Sequence, residues 1–326
     1  MHREEAIDPE LPIIDAHHHL WDRPGNRYFL PDLLDDIDSG HRIRATVGVE
    51  AGAMYRRDGP AELQPVGETE FLNGAAAMSA SGNYGECRVC AGIVAHADLL
   101  LGERVRPVLE TQLRAGGERL RGIRHMTVWH PDPAAHASLA NPPGYLMRDP
   151  EFHRGIAELA PLNLSFDSWL YHTQLPELTE LARAFPQTTI ILNHVGGAIG
   201  IGPYAGKRDA VFAEWSTHLR TLADCPNVHV KLGGLGMRLF GFDFASRTRP
   251  PTSLELAQSW RPYIETCIEA FGASRCMFES NFPVDKGSCS YAVLWNAFKH
   301  IATAASASEK ELLFSGTAKK VYRLSY

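Results

Sequence analysis

The feature that most constrains the fold of this chain is a repeated alternation of short apolar runs with helical patterns. Residues 175–185 place apolar side chains at helical spacing, and Thr252 and Glu255 form a capping box for a helix that Gly272 ends. The apolar runs predict eight strands at residues 12–17, 45–50, 88–95, 122–126, 162–167, 188–194, 228–232 and 275–282. This alternation is typical of a parallel barrel or a doubly wound sheet. Because no G-x-G-x-x-G follows the first run, we favour an α/β fold of the (β/α)8 TIM-barrel type over a dinucleotide-binding sheet.

Length and composition agree with one such barrel. The chain has 326 residues, and we expect a single domain over residues 1–326 with residues 1–10 as an N-terminal extension. The formal net charge is -6 with no basic stripe, which argues against nucleic acid and membranes as partners. No apolar run is long enough to span a bilayer, and the first residues are too polar for a secretory signal. Six scattered cysteines are typical of a reduced protein, so we expect a cytoplasmic location.

Polar residues lie at the ends of predicted strands, where a barrel of this type places its active site. Side chains alternate across a strand, so residues two apart share a face. In the first strand, Asp15, His17 and His19 share one face, and mostly apolar residues occupy the other. Because the face toward the helices should be apolar, these three side chains are predicted to point into the barrel. Two histidines at this spacing can converge on one metal ion or one water.

The same rule predicts inward polar groups on other strands. Val47 and Val49 suit the helix side of the second strand, which turns Glu50 inward, and His194 shares a face with Ile190 and Leu192. The full inward set is Glu50, Arg124, Asp167, His194, His229, Lys231, Glu279 and Asn281, whereas His125 is predicted to lie outward or at the rim. Each residue alone is compatible with a structural histidine or a buried ion pair. Their coincidence at several strand ends predicts one shared pocket.

The same residues carry a family resemblance. Residues 14–22 (Ile-Asp-Ala-His-His-His-Leu-Trp-Asp) resemble the D-x-H-x-H opening of the amidohydrolase-2 branch of the amidohydrolase superfamily. Further matching pieces are residues 122–125, 193–197, 230–234 and 277–285, and residues 313–322 resemble the closing helix of the family. Within the branch, the chain is similar to sugar lactonases and 2-pyrone-4,6-dicarboxylate lactonases. The resemblance covers residues 11–324 and implies a barrel hydrolase that acts on a lactone or related ester.

The resemblance also implies roles for individual residues. In the family the two opening histidines, His17 and His19 here, bind a metal or the substrate together with the histidine of the sixth strand, His194. The family contains lactonases that work without metal. We favour a metal-free site over one Zn²⁺ held by His17, His19 and His194.

The last strand departs from the family pattern. That strand normally ends in an aspartate that binds metal and activates water, whereas the matching residue here is Asn281, which cannot be a base. Asp285, four residues on and expected to be exposed, is our first candidate for the base. Glu279 shares the face of Asn281 one layer deeper, and Glu50 and Asp167 are the remaining candidates.

These observations lead to a working hypothesis of lactone hydrolysis by water. The histidines, together with Asp285, Asn281 and Glu279, form the candidate catalytic set, and an oxyanion would need donors or a cation aimed at it. Arg124 and Lys231 could bind a substrate carboxylate, which favours a small anionic substrate. The candidate substrate-binding set is Arg124, His125, Lys231, Glu50, Asp167 and, on a glycine-rich loop after the sixth strand, Tyr204. Two alternatives stay open, a metal-dependent nonoxidative decarboxylase and a catalytically inactive binding protein, and so does a homo-oligomer.

Overall fold

Eight parallel strands form one sheet in chain order in the computed structural model, which describes residues 4–138 and 140–325. The strands are β1 (Ile13–His18), β2 (Ile43–Val49), β3 (Arg88–His96), β4 (Leu120–Arg124), β5 (Ser165–Ser168), β6 (Ile190–Leu192), β7 (Val228–Leu232) and β8 (Cys276–Phe278). The end of β8 meets β1 through a parallel bridge between His18 and Phe282 and a 2.8 Å hydrogen bond from Asn281 N to His17 O. The sheet therefore curves almost to closure, and the predicted TIM barrel is confirmed.

Helices follow the strands and cover the outside of the sheet. They are α1 (Leu30–Ile37), α2 (Val66–Ala80), α3 (Arg106–Gly116), α4 (Pro150–Ala157), α5 (Leu175–Ala184), α6 (Arg208–Ala223), α7 (Ser253–Phe271), α8 (Tyr291–Ile301), α9 (Ala307–Glu311) and α10 (Thr317–Val321). A hairpin of Trp21–Arg23 and Asn26–Tyr28 follows β1. The capping box predicted at Thr252 begins α7, and Gly272, with φ of 75°, ends it.

Two apolar clusters show which way each strand faces. The larger cluster joins the outer faces of the strands to the helices. The smaller cluster joins side chains of β1, β2, β3, β6 and β8, and because β3 and β6 are not neighbours in the sheet, these side chains meet inside the barrel. Ile123, Phe166 and Val230 lie in the outer cluster, which confirms the inward prediction for the residues that follow them, Arg124, Asp167 and Lys231.

Alternation fails along β1. Ile14 and Ala16, predicted to face the helices, lie in the inner cluster. Asp15 faces outward instead, where its carboxylate accepts hydrogen bonds from Tyr291 of α8 (2.9 Å) and from Ser280 N after β8 (2.8 Å). The β1–β2 register shifts between Asp15 and His18, and such an irregularity resets the phase of the strand. The inward prediction is therefore wrong for Asp15 and right for His17.

The apolar side chains of β2 and β6 face the opposite way from the prediction. Val47 and Val49 lie in the inner cluster, and Ile190 and Leu192 pack in the outer one, which reverses both predictions. His194 still reaches the interior because β6 ends at Leu192 and the next turn places His194 at a φ of 53°, in the left-handed region that non-glycine residues rarely adopt. Strand ends, where the chain leaves the sheet, do not obey alternation.

The C-terminal segment enters the barrel. Leu312–Gly316 forms a π-helical turn. Ala318 and Val321 of α10 and, after it, Tyr322 and Leu324 join the inner cluster. Tyr322 is buried, and its hydroxyl donates a 2.8 Å hydrogen bond to Asp167 Oδ2. The family resemblance implied only a closing helix over residues 313–322. The structure shows in addition that the C-terminal tail fills part of the barrel interior.

The cysteines and the helix lengths bear on the environment of the protein. All six cysteines are free and buried, as expected for structural thiols. Within residues 4–138 and 140–325, no helix is both long and apolar enough to cross a bilayer.

Candidate active site

Six polar side chains from different strands meet at the C-terminal end of the barrel. His17 lies in β1 and His19 directly follows it. The others end β4, follow β6, lie near the end of β7 and follow β8. The ring centroids of His17 and His19 lie 4.8 Å apart, and those of His17 and His194 lie 4.7 Å apart. The structure therefore brings together the three imidazoles that were predicted to converge, although alternation was not the reason for two of them. The complete cluster, which we call the histidine cluster, is His17, His19, Arg124, His194, Lys231 and Glu279, all of them buried.

His17 is the centre of the histidine cluster. Its Nδ1 lies 3.0 Å from Glu279 Oε2 and 3.3 Å from Lys231 Nζ. Its Nε2 lies 3.2 Å from His19 Nε2 and 3.4 Å from Arg124 Nη1. Both ring nitrogens of His17 are thus in contact with a cationic side chain.

His194 and Glu279 form a tightly bonded pair. Glu279 Oε1 lies 2.6 Å from His194 Nδ1 and also accepts a 3.0 Å hydrogen bond from the backbone N–H of His194. A carboxylate at this position makes Nδ1 the protonated nitrogen and leaves a lone pair on Nε2. The arrangement fixes both the tautomer and the orientation of the ring, as the carboxylate does in a His–Asp pair.

Burial controls the charge of these groups. Desolvation lowers the pKa of His17, His19 and His194 well below the usual value. Arg124 lowers it further for all three, and Lys231 does so for His17 and His194. Desolvation also raises the pKa of the Glu279 carboxyl above its usual value, whereas the nearby Lys231 and the hydrogen bond from the backbone N–H of His194 oppose this shift and favour the carboxylate. The three imidazoles are therefore neutral at pH 7, so their nitrogens can accept protons or bind a ligand.

Lys231 belongs to a second network beneath the histidines. Its ammonium group donates a 2.8 Å hydrogen bond to Asp167 Oδ2, which also accepts from Asn193 Nδ2 at 3.2 Å and from the Tyr322 hydroxyl. Lys231 is fully buried. Asn193 and Tyr322 were not among the predicted site residues, because Asn193 lies just beyond the end of β6 and no local pattern marks a tyrosine of the tail as inward.

Arg124 is paired as well. Its Nε donates to Glu50 Oε1 at 2.6 Å, and its Nη2 donates to the Glu50 carbonyl. With Lys231 bound to Asp167, both cations that we expected to attract a substrate carboxylate already hold buried protein carboxylates. The expectation that Arg124 and Lys231 bind a substrate carboxylate therefore loses its basis. An anionic substrate stays a prediction that neither cation supports.

Asn281 and Asp285 form a pair apart from the histidines. Asn281 Nδ2 donates to Asp285 Oδ1 at 2.9 Å, and Gly236 N donates to Asp285 Oδ2 at 2.9 Å. The expectation that Asp285 is exposed is wrong, because the loop of Gly236 covers it and its side chain is fully buried. Desolvation raises the pKa of Asp285 to about 8. Its role as the base stays a prediction.

Tyr204 and His125 lie away from the histidine cluster. The Tyr204 hydroxyl bonds to His130 Nε2 at 3.0 Å, and its ring packs edge-on to His172. His125 lies at the rim, as expected, where its ring packs edge-on to Phe152 of α4. The structure thus places Tyr204 with two loop histidines rather than with the catalytic candidates.

A cavity of about 510 Å³ opens beside the histidine cluster. Its lining includes Arg23 from the hairpin, Glu50 after β2, His96 at the end of β3 and His125 after β4. We call it the mouth cavity. Glu50 connects it to the cluster through Arg124. Arg23 lies 3.9 Å above the Trp21 ring, and that ring stacks on His19. No side chain of the histidine cluster lines the mouth cavity, so these neighbours are what connects the two.

The donor set at the centre can also hold a cation. Within residues 4–138 and 140–325, one group offers three metal-ligating atoms within 4.8 Å of one another, and it consists of His17, His194 and Glu279. The carboxylate of Glu279 thus replaces His19 in the set that we expected. Glu279 Oε2 is buried, and although His17 Nδ1 lies 3.0 Å away, no group within the described residues donates a well-aligned hydrogen bond to it. Two imidazoles and a carboxylate fit Zn²⁺ by ligand type.

The sequence model of the family described as Amidohydrolase matches residues 14–324. An uncharacterized protein of Sinorhizobium fredii is 35% identical over 97% of this chain and 99% of its own length. An L-fucono-1,5-lactonase of Burkholderia multivorans is 27% identical over 95% of this chain and 96% of its own. A zinc-bound crystal structure of a B. multivorans protein superposes with a TM-score of 0.73 at 26% identity, covering 96% of this chain and 99% of that one.

Proposed function

Because this chain belongs to the amidohydrolase family, which the match over residues 14–324 shows, we propose that it is a hydrolase that opens a lactone ring by attack of water. The observation that carries the proposal is the His194–Glu279 pair, which lies beside two cationic side chains at the C-terminal end of the barrel. The lactonase name of the B. multivorans relative supports the same reaction class.

His194 is the proposed general base. Glu279 holds the Nδ1 proton of His194, which leaves the Nε2 lone pair to take a proton from water as that water attacks the lactone carbonyl. A neutral imidazole suits this step, because a base must be unprotonated at the working pH. The same His194 can then return the proton to the ring oxygen as it leaves, so that the product is a hydroxy acid.

The positive charge for the oxyanion comes from the chain itself. Arg124 Nη1 and Lys231 Nζ approach the two nitrogens of His17, and the carbonyl oxygen becomes negative next to this group during attack. Fixed charges in a buried site stabilise such an oxyanion without reorganising. Glu50 and Asp167 orient the two cations rather than compete for the substrate.

A divalent cation is compatible with the same residues. His17, His194 and Glu279 would hold it, and such an ion supplies Lewis acidity toward the carbonyl and a lower pKa for bound water. Two observations favour the metal-free reaction. Asn281 replaces the carboxylate that the family resemblance implied, and cations already contact both nitrogens of His17.

A lactone panel tests the proposal. Purified protein is assayed with five- and six-membered lactones by release of acid to a pH indicator, with His194→Gln as the variant and His300→Asn on α8 as the matched histidine control. We expect ring opening by the wild type, loss of about 100-fold or more in kcat for His194→Gln, and wild-type rates for the control. If folded protein opens no lactone but releases CO₂ from aromatic acids, the site is that of a decarboxylase. If it only binds these compounds, the chain is a binding protein, and either result refutes the proposal.

A further inference from the structure

A second cavity, of about 380 Å³, lies at the N-terminal end of the barrel, where the strands begin. Three arginines line it. Arg88 is the first residue of β3, Arg119 directly precedes β4, and Arg121 is the second residue of β4. Because β3 and β4 are parallel neighbours in the sheet, their first residues lie at the same end. We call this space the arginine cavity, and it is at the opposite end of the strands from the histidine cluster.

The arginines of this cavity have few partners in the protein. Within the described part of the chain, the side chains of Arg88 and Arg121 make no hydrogen bond or ion pair, and Arg121 Nε is buried without an acceptor. Arg119 donates to a neutral group, Asn73 Oδ1, at 2.6 Å. By contrast, the exposed Arg148 on the outside of the barrel holds a glutamate with two nitrogens. The donors of the arginine cavity are therefore not used up by protein carboxylates.

A fourth guanidinium adds to the positive charge. Burial lowers the pKa of Arg323 in the C-terminal tail, and the like charge of Arg121 lowers it further. Burial also lowers the pKa of Arg121, and the exposed Glu118 opposes this shift. Among the described residues that line the cavity, Glu118 alone carries a carboxylate. Positive charge is thus in excess here, although the net charge of the chain is -6, and a bound anion would relieve the repulsion between the guanidinium groups.

The surrounding structure holds these side chains in place. A Cβ atom at Gly92 would lie 3.6 Å from Arg121 Cγ and 3.0 Å from Leu324 Cδ2, so the stem of Arg121 lies over a glycine beside the tail. Asn73, which accepts from Arg119, is itself fixed by a 2.9 Å hydrogen bond from its Nδ2 to a backbone carbonyl of α3. Groups that are already positioned lose less conformational entropy when a ligand binds.

We propose that the arginine cavity binds a phosphate group, free or carried by a small organic ester. The planar fork of arginine matches the oxygens of phosphate, and several arginines suit a dianion better than a single carboxylate. The cavity has room for more than the ion, and its other walls include the small side chains of Ala76, Ala80 and Ala91, which would accommodate the carbon part of an ester. Because the cavity lies away from the histidine cluster, its ligand is not the substrate.

Calorimetry at low ionic strength tests the proposal with the full-length protein. The probes are inorganic phosphate, glycerol phosphate, glycerol as the uncharged match and acetate as a monoanion. Arg88→Gln and Arg121→Gln each remove one guanidinium of the cavity. Arg114→Gln on α3 is the matched control, because Arg114 is exposed and does not line the cavity.

We expect wild type to bind phosphate or its ester with a Kd below about 1 mM. Each cavity variant should weaken binding by about 10-fold or more, since a charge-assisted contact is lost, and Arg114→Gln should bind as wild type does. Tighter binding of glycerol phosphate than of phosphate identifies an organic ester as the ligand, and the reverse order identifies the free ion. Acetate that binds as tightly as phosphate, no binding up to about 10 mM, or affinity that both cavity variants retain would overturn the proposal.

Thermal unfolding separates a ligand site from a purely structural role of the arginines. A ligand that binds only the folded state raises the Tm, so phosphate should raise the Tm of wild type and of Arg114→Gln but not that of Arg121→Gln. Without phosphate, Arg121→Gln should keep the wild-type Tm, because the side chain makes no hydrogen bond in the described chain. If Arg121→Gln lowers the Tm and phosphate leaves that of wild type unchanged, the arginines serve the fold and the proposal fails. None of these measurements uses lactone hydrolysis, so the proposed function stands or falls separately.

Discussion

Asp285→Asn should make the stability of the protein less dependent on pH. Asp285 is fully buried, and desolvation raises its pKa from 3.8 to about 8. Between these two values the folded state holds a proton that the unfolded state has released. Stability from this group is therefore complete below about pH 4 and is lost as the pH rises toward 8. The loss is about 1.4 kcal/mol per pH unit within that window.

The structure indicates that asparagine fits this position. Asp285 accepts from Gly236 N and from Asn281 Nδ2, and the buried Asn281 Oδ1 has no partner. If the Asn281 amide rotates by 180°, its oxygen can accept from the new amide at residue 285, while the new oxygen still accepts from Gly236 N. The variant thus loses the ionisable group and keeps both hydrogen bonds.

Urea unfolding at pH 5, 6 and 7 measures the effect. We expect the free energy of unfolding of Asp285→Asn, relative to wild type, to rise by about 3 kcal/mol across these two pH units. The exposed Asp35→Asn on α1 serves as the control and should follow the wild type. Parallel curves for Asp285→Asn and wild type would refute the reasoning. Loss of lactone hydrolysis in a stable Asp285→Asn variant would instead identify Asp285 as the base.

Three further predictions follow from the histidine cluster and the network beneath it. Glu279→Gln removes the carboxylate that orients His194, so kcat should fall by about 100-fold or more while the circular dichroism spectrum stays native. An unchanged kcat would exclude a catalytic role for the His194–Glu279 pair. Dialysis against a chelator, checked by elemental analysis, should leave lactone hydrolysis intact, and activity that disappears and returns with Zn²⁺ would show that the metal is required. Tyr322→Phe removes one donor to Asp167 and should lower the free energy of unfolding by about 1–2 kcal/mol; no change by denaturant titration would mean that Lys231 and Asn193 suffice.

The sequence predicted the barrel and most of its central residues because both depend on local patterns. Apolar runs between helical segments specify a parallel sheet, and parallel strands place their carboxyl ends at one face. Arg124, Asp167 and Lys231 each follow an outward apolar residue on a regular strand, so alternation predicted them for the correct reason.

The remaining features depend on backbone geometry that a pattern does not encode. His17 and His194 lie inside only because β1 is irregular before His18 and because β6 ends at Leu192. Ile14 and Ala16 face inward and Ile190 and Leu192 face outward, so strict alternation would have turned both histidines outward. Long-range partners were equally hidden. Nothing near Tyr322 in the sequence indicates a bond to Asp167, and the pairing of Arg124 with Glu50 changed the expected substrate charge.

The barrel closes where the end of β8 meets β1, a junction that we call the seam. The residues of the reactive centre come together only when this junction has formed. Asp15 accepts a hydrogen bond from the backbone N–H of Ser280, which is 265 residues away in the sequence. Lys231 Nζ contacts His17 Nδ1, which is 214 residues away. No half of the barrel contains the complete set of groups. Loosening of this seam alone would separate Glu279 from His17 while most helices stay folded, so heat or denaturant should abolish turnover before the bulk of the secondary structure melts.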